Sequence, residues 1–293
     1  MKKQKKSRVL GMAFIVCLAF SGCGTGAQDA AFSSAEDYVQ AAKTALAEQN
    51  SFTADFDAEI AMNNAGTGSM TTKGKVTFVQ EPLYMEVDTD MGFENGSQTY
   101  TLYLQKGENE KGEDVVNQYM NYDGQWTEMT LQGEDSMNGV RIYNAAENME
   151  TLLAAAENCS VQANGSKAVI SADIPEEKLY DVEETGRFFE IAGMSGLSEV
   201  YFKGAGDVPV TFVVDRKTGA PISYEIDLAQ ALEKVPNNVL SALGGGSGIT
   251  VQTYRISSEL TQLGGVKAGE IPAEAKSSAI NYEREISMLE SDE

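Results

Sequence analysis

Phe52-Thr53-Ala54-Asp55-Phe56-Asp57-Ala58-Glu59-Ile60-Ala61-Met62-Asn63 alternates apolar and polar side chains along its whole length. Successive side chains of a strand point to opposite faces, so this stretch reads as a strand with two unlike sides. Phe52, Ala54, Phe56, Ala58, Ile60 and Met62 belong to a buried side; Asp55, Asp57 and Glu59 belong to a solvated one. It is longer than the ordinary strand of about 5–6 residues, which points to a large, curved antiparallel sheet.

Downstream, Met70 to Gln80 alternates more weakly, Glu81-Pro82 interrupts it, and Leu83, Met85 and Val87 resume it with Glu86 and Asp88 facing out. Thr99 to Gln105 is another strand, and Asp123-Gly124 is a hairpin turn between Tyr119–Tyr122 and Gln125–Leu131. A helix is expected over 145–157, a short strand over 169–172, and a longer helix over 176–194, just after Pro175. Strands return at 197–203, 210–214 and 222–227, the last two joined by the loop 215–219. Residues 229–243 read as a helix or loop interrupted by Pro236, residues 244–248 as a flexible link, and 249–260 as a final long strand. Upstream, Ser34-Ala35-Glu36-Asp37 has the spacing of a capping box and opens a helix to about Gln49. Helix, strands, helices and strands in that order give an α+β fold, with helices packed against one concave face of an antiparallel sheet.

The first residues carry a different signal. Lys2, Lys3, Lys5, Lys6 and Arg8 precede the apolar run Val9 to Phe20, and Ser21-Gly22-Cys23 closes it with small residues. A permanent membrane helix needs about 20 apolar residues, so this run is too short to span. Four parts are expected: a signal peptide over 1–22, a flexible tether over 23–33, one α+β domain over 34–279, and a charged tail over 280–293.

The formal net charge is −22. Loss of the five N-terminal positive charges takes it to −27, too acidic for a nucleic-acid phosphate backbone or for adhesion to anionic lipid by charge. Histidine is absent, which excludes His-based triads and His-ligated zinc. Of the three cysteines, Cys17 lies in the signal peptide and Cys23 at its end. Cys159 is then left without an intramolecular partner and reads as a small apolar residue. Asp88-Thr89-Asp90-Met91-Gly92 begins like a calcium loop, but Met91, Phe93 and a missing terminal Glu break the register. Gly204-Ala205-Gly206 lacks the later glycine of a phosphate cradle. No cofactor, metal or catalytic residue is expected.

Phe20-Ser21-Gly22-Cys23 resembles a lipobox, with Phe20 where Leu, Val or Ile is usual. That resemblance implies a diacylglyceryl group on Cys23, cleavage after Gly22, and anchoring at the extracytoplasmic face of a cell membrane. Glu81-Pro82-Leu83-Tyr84-Met85-Glu86 and Asn121-Tyr122-Asp123-Gly124-Gln125-Trp126-Thr127-Glu128 resemble an uncharacterised family of Gram-positive lipoproteins. Val213-Val214-Asp215-Arg216-Lys217-Thr218-Gly219 and Ile271-Pro272-Ala273-Glu274 fit the same family. These proteins are similar in layout to the LolA-like (lipoprotein carrier, LppX-like) superfamily. The resemblance implies a strongly curved antiparallel half-barrel sheet with helices packed in its concave face and a cavity beneath them.

Phe52, Phe56, Met62, Phe78, Met85, Tyr103, Tyr119 and Trp126 are assigned to strands with one inward face, where they either fill a core or line an apolar cavity. The expected function is non-enzymatic binding of a hydrophobic or amphiphilic ligand near the membrane. The alternative is a cell-envelope protein-interaction or sensing module without a small-molecule ligand.

Overall fold

The computed structural model describes residues 32–63, 68–109, 111–132, 134–245 and 248–281. The signal peptide, Cys23, most of the tether and the tail beyond Asn281 lie outside the described residues. The first half contains α1 (Ala35–Ala47), β1 (Ser51–Asn63), β2 (Ser69–Val79), β3 (Tyr84–Phe93), β4 (Gly96–Glu108), β5 (Asp114–Tyr122) and β6 (Gln125–Leu131). After a 3-10 helix at Glu134–Tyr143 come α2 (Ala145–Ala155), β7 (Glu157–Asn164), β8 (Lys167–Ile174) and α3 (Leu179–Gly186). The chain continues through β9 (Val208–Asp215), β10 (Pro221–Asp227), α4 (Ala229–Ala242), β11 (Thr250–Leu263), α5 (Ala273–Ser278) and the two-residue β12 (Ile280–Asn281).

All the described strands join one open sheet in the order β12-β6-β5-β4-β3-β2-β1-β11-β10-β9-β8-β7. The pairings are antiparallel except the last, where β12 runs parallel to β6. The fold is therefore α+β, built on a mostly antiparallel sheet. β1 sits near its middle, pairing Phe56 with Gly74 on one side and with Ser258 on the other.

Alternation in β1 separates the two faces as its sequence implies. Phe52, Ala54, Phe56, Ala58 and Ile60 are buried, while Asp55 and Glu59 are exposed. Their cross-strand partners extend the apolar face through Val76, Phe78, Met85, Val87, Leu102 and Leu104 one way, and Ile256, Ile226, Phe212 and Ile170 the other. Helices cover that face with Tyr38, Ala42 and Leu46 from α1, Met149, Leu152 and Leu153 from α2, and Leu232 and Val235 from α4. The opening of α1 is the expected capping box: Ser34 Oγ accepts from Asp37 N–H at 3.2 Å, and Asp37 Oδ2 accepts from Ser34 N–H at 3.3 Å.

Four local features depart from expectation. Residues 197–203 are not a strand: Glu199–Phe202 is a 3-10 turn bracketed by left-handed Gly196 and Gly204. Side chains from elsewhere hold that turn, with Glu176 accepting from the N–H groups of Gly204 and Gly206 at 2.7 and 2.9 Å. Asn238 Nδ2 donates to the carbonyls of Tyr201 and Lys203. The helix expected over 176–194 is continuous only as α3, because Arg187 turns left-handed at φ 54° and a 3-10 turn follows at Phe188–Ala192. β7 was not foreseen: Cys159, Val161 and Ala163 alternate with Ser160, Gln162 and Asn164, but the run is short and only Cys159 and Val161 are even half-buried. Pro236 does not interrupt α4, which runs through it.

Tyr103, Tyr119 and Trp126 do not share the inward face of Phe52. Met85 pairs with Leu104, but Glu86 pairs with Tyr103, Tyr103 with Tyr119, and Tyr119 with Glu128. That one-residue offset puts them on the opposite side. There they form a second apolar cluster with Val79 and Tyr84, covered by Ile271 and Ala275. Left-handed Gly264 and Gly265 turn the chain out of β11 so that residues 266–281 cross this face as a strap ending at β6.

Candidate functional site

A cavity of about 1490 Å³ opens on the polar face, and among the described residues only strands line it. Drug-sized ligand pockets hold about 300–1,000 Å³, so this space suits a larger molecule. Cross-strand register arranges its walls in rows. In one row Asp88 of β3, Lys75 of β2 and Asp55 of β1 lie side by side, followed by Glu259 of β11. In the next, Asp90, Lys73 and Asp57 repeat the order, and Lys73 Nζ lies 3.1 Å from Asp57 Oδ2. That exposed pair orients two side chains more than it stabilises the fold.

Toward β7 the rows change character. Ser223 and Ser257 give way to Thr211 and Ser171, with Val213 and Val169 beside them and Gln162 at the far rim. Charge is densest on β1 to β3; toward β7 hydroxyl and aliphatic groups predominate, with Glu225 and Lys167 among them. Asp55 and Asp57, expected to be merely solvated, line this cavity, whereas Glu59 does not. Asp88 and Asp90 line it too, but among the described residues no group of three or more Asp, Glu, Cys or His could hold a metal ion.

The cavity expected beneath the helices is smaller, about 470 Å³, and lies between α1 and α2 over Phe52 and Phe78. Those two rings stack with centroids 5.3 Å apart. Phe56 meets Tyr143 edge-on, Met85 is fully buried and Met62 half-buried, so most of the apolar face is filled core. At the strap, Glu86 accepts from the hydroxyls of Tyr84 and Tyr103 at 2.9 and 3.1 Å. Burial and that carboxylate push the Tyr103 hydroxyl up to about 12. Cys159 is half-buried on β7, and burial raises its thiol above the ordinary value, away from a reactive thiolate.

Among the described residues one carboxyl sits deep in the fold. Glu183 near the end of α3 is 4% exposed, and burial pushes its carboxyl up to about 8, against the pull of the Phe189 N–H and Arg187. Its Oε2 accepts from Phe189 N–H at 3.1 Å, while the Tyr254 hydroxyl donates to the Phe188 carbonyl. Neither of the two cavities reaches Glu183; it holds the turn after α3, which Tyr254 ties to β11.

A family model described as a family of unknown function (DUF6612) matches residues 34–280. The chain belongs to that family. In DUF6612 terms the match runs from the N-cap of α1 to β12, so helices, sheet and strap are all within it. No curated protein matches the chain.

Cross-strand register was the missing sequence signal. Asp55/Asp57, Lys73/Lys75 and Asp88/Asp90 are three like-charged pairs at i, i+2 on three successive strands. Once neighbouring strands are aligned, such pairs must share a face.

Proposed function

We propose that the protein is an extracytoplasmic lipoprotein, anchored to a membrane by lipid on Cys23, that binds an amphiphilic ligand without catalysis. The cavity on the polar face carries this reading. Its charge-rich end, around Lys73, Lys75 and the flanking aspartates, suits a polar head, and the Val169–Val213 patch, set among hydroxyls with Lys167 and Glu225 nearby, suits a short apolar portion. Among the described residues no helix is long and apolar enough to cross a membrane, so attachment would rest on segments outside them. A short tether from Cys23 to α1 would keep the cavity within reach of a bilayer.

The proposal includes a half-barrel shape of the LolA-like kind. Seven strands lie between β4 and β7 in the sheet, yet both touch one cavity. At about 4.8 Å per strand a flat sheet would separate them by about 38 Å, so the shared lining supports a bent sheet.

The test is native mass spectrometry, with lipid extraction, on the full chain taken from producing cells in mild detergent. A stoichiometric amphiphile should be retained, and Thr211→Trp, which fills the cavity from β9, should abolish retention. A clean wild-type mass after exposure to envelope lipids would overturn the reading.

A further inference from the structure

The two ends of the sheet are treated differently. At one end β12 pairs with β6 at Thr127 and Glu128, and the strap runs behind it. At the other end β7 is terminal, and no described strand pairs with its outer side. Edge strands are normally guarded by lysine, proline, a covering segment or a bulge. β7 has only the last: Asn158 turns left-handed at φ 53° and the register shifts between Glu157 and Ser160. Beyond it, Asn158 to Ser166 (NCSVQANGS) contains no charged residue, in a chain that is 23% charged.

Register decides which backbone groups are free. The turn between β7 and β8 has two residues, Gly165 and Ser166, closed by the pair Asn164–Lys167. The closing pair of such a hairpin exchanges hydrogen bonds, and bonding then alternates along the strand. Asn164, Gln162 and Ser160 therefore bond inward to β8, and Ala163 and Val161 direct their N–H and C=O groups to the open edge.

We propose that β7 is the pairing edge for a second copy of this chain, joined antiparallel about a two-fold axis at Gln162. Val161 of each copy meets Ala163 of the other, making four backbone hydrogen bonds. Such an interface is self-complementary and closed, and the capped β6 edge prevents further growth. The neutral segment is what lets two acidic bodies touch. Gln162 also lines the polar cavity, so the second copy's Gln162 completes its rim. The inference stands independently of any ligand.

Each copy carries a formal charge of −22, so repulsion opposes pairing and salt relieves it. Sedimentation velocity on the full chain in mild detergent should show a dimer that strengthens as sodium chloride rises. Ala163→Pro removes an outward donor and Ala163→Glu sets like charges across the edge; both should sediment as monomers with unchanged melting temperature. In an antiparallel non-bonded pair the facing Cβ atoms are about 4.5–5.5 Å apart, so Gln162→Cys should form an intermolecular disulfide on oxidation. Wild type, whose Cys159 packs on the helix-covered side, should not. A monomer at every salt concentration, a dimer that survives Ala163→Glu, or a Gln162→Cys protein that fails to cross-link would each overturn the proposal.

Discussion

Glu183 makes stability fall as pH rises, and Glu183→Gln should remove that dependence. Its carboxyl titrates at about 8 in the folded chain against 4.5 for the free group. Between those values the folded state holds a proton that the unfolded state has released, so folding weakens with rising pH. The contribution is fully present below 4.5 and gone above about 8. The slope of a single group is about 1.4 kcal/mol per pH unit. Across this window the total is on the order of 5 kcal/mol, a large share of a typical domain stability of about 5–15 kcal/mol. Glutamine keeps an oxygen for the Phe189 N–H but cannot ionise. Urea denaturation across this range should show wild type losing stability toward pH 8 and the variant losing much less. The two proteins should match near pH 5, and the variant should be the more stable near pH 9. Parallel pH profiles would refute the reasoning, because they would mean that Glu183 is not a buried neutral acid.

The remaining predictions concern the strap, a cap and the core. Trp126 is the sole tryptophan and is buried beneath the strap. A side chain at Gly269 would put its Cβ 2.5 Å from the Tyr84 hydroxyl, so Gly269→Leu should lift the strap and red-shift tryptophan emission while the far-ultraviolet dichroism holds. Ile271→Ala should cost about 2 kcal/mol or more, read by chemical denaturation. Ser34→Ala removes one half of the α1 capping box and should cost about 1 kcal/mol. Phe52→Ala, which breaks the stack with Phe78 in the packed core, should cost about 3–5 kcal/mol.

The architecture was legible where one periodicity dominated. β1, β11 and the hairpin around Asp123-Gly124 follow from alternation and turn chemistry, and α1 from its cap. Segments governed by distant partners were not legible. Val200 and Tyr201 have strand-like side chains, yet they form a 3-10 turn because Glu176 and Asn238 hold the backbone around them. α3 stops at Arg187, a left-handed position the sequence does not advertise with a glycine.

The site was hidden for a related reason. Large aromatic and methionine side chains suggested a cavity, but packing had already used most of them. The space lies on the side whose acids and hydroxyls look like ordinary solvated surface one strand at a time. Tyr103, Tyr119 and Trp126 went to the wrong face because face depends on register, and nothing within β4, β5 or β6 alone states the register. The strap that covers them shows only two fully buried apolar residues, Ile271 and Ala275, too sparse a pattern to read.

The most direct test of the central claim is to map where the ligand binds. Amide and methyl spectra of the isotopically labelled full chain would be compared before and after its co-purified amphiphile is removed. The account predicts changes along Lys73–Lys75, Asp88–Asp90, Thr211–Val213 and Val169–Ser171, with the helix-covered face undisturbed. Changes centred on Phe52, Phe78 and the α1–α2 cavity, with the polar rows silent, would contradict it.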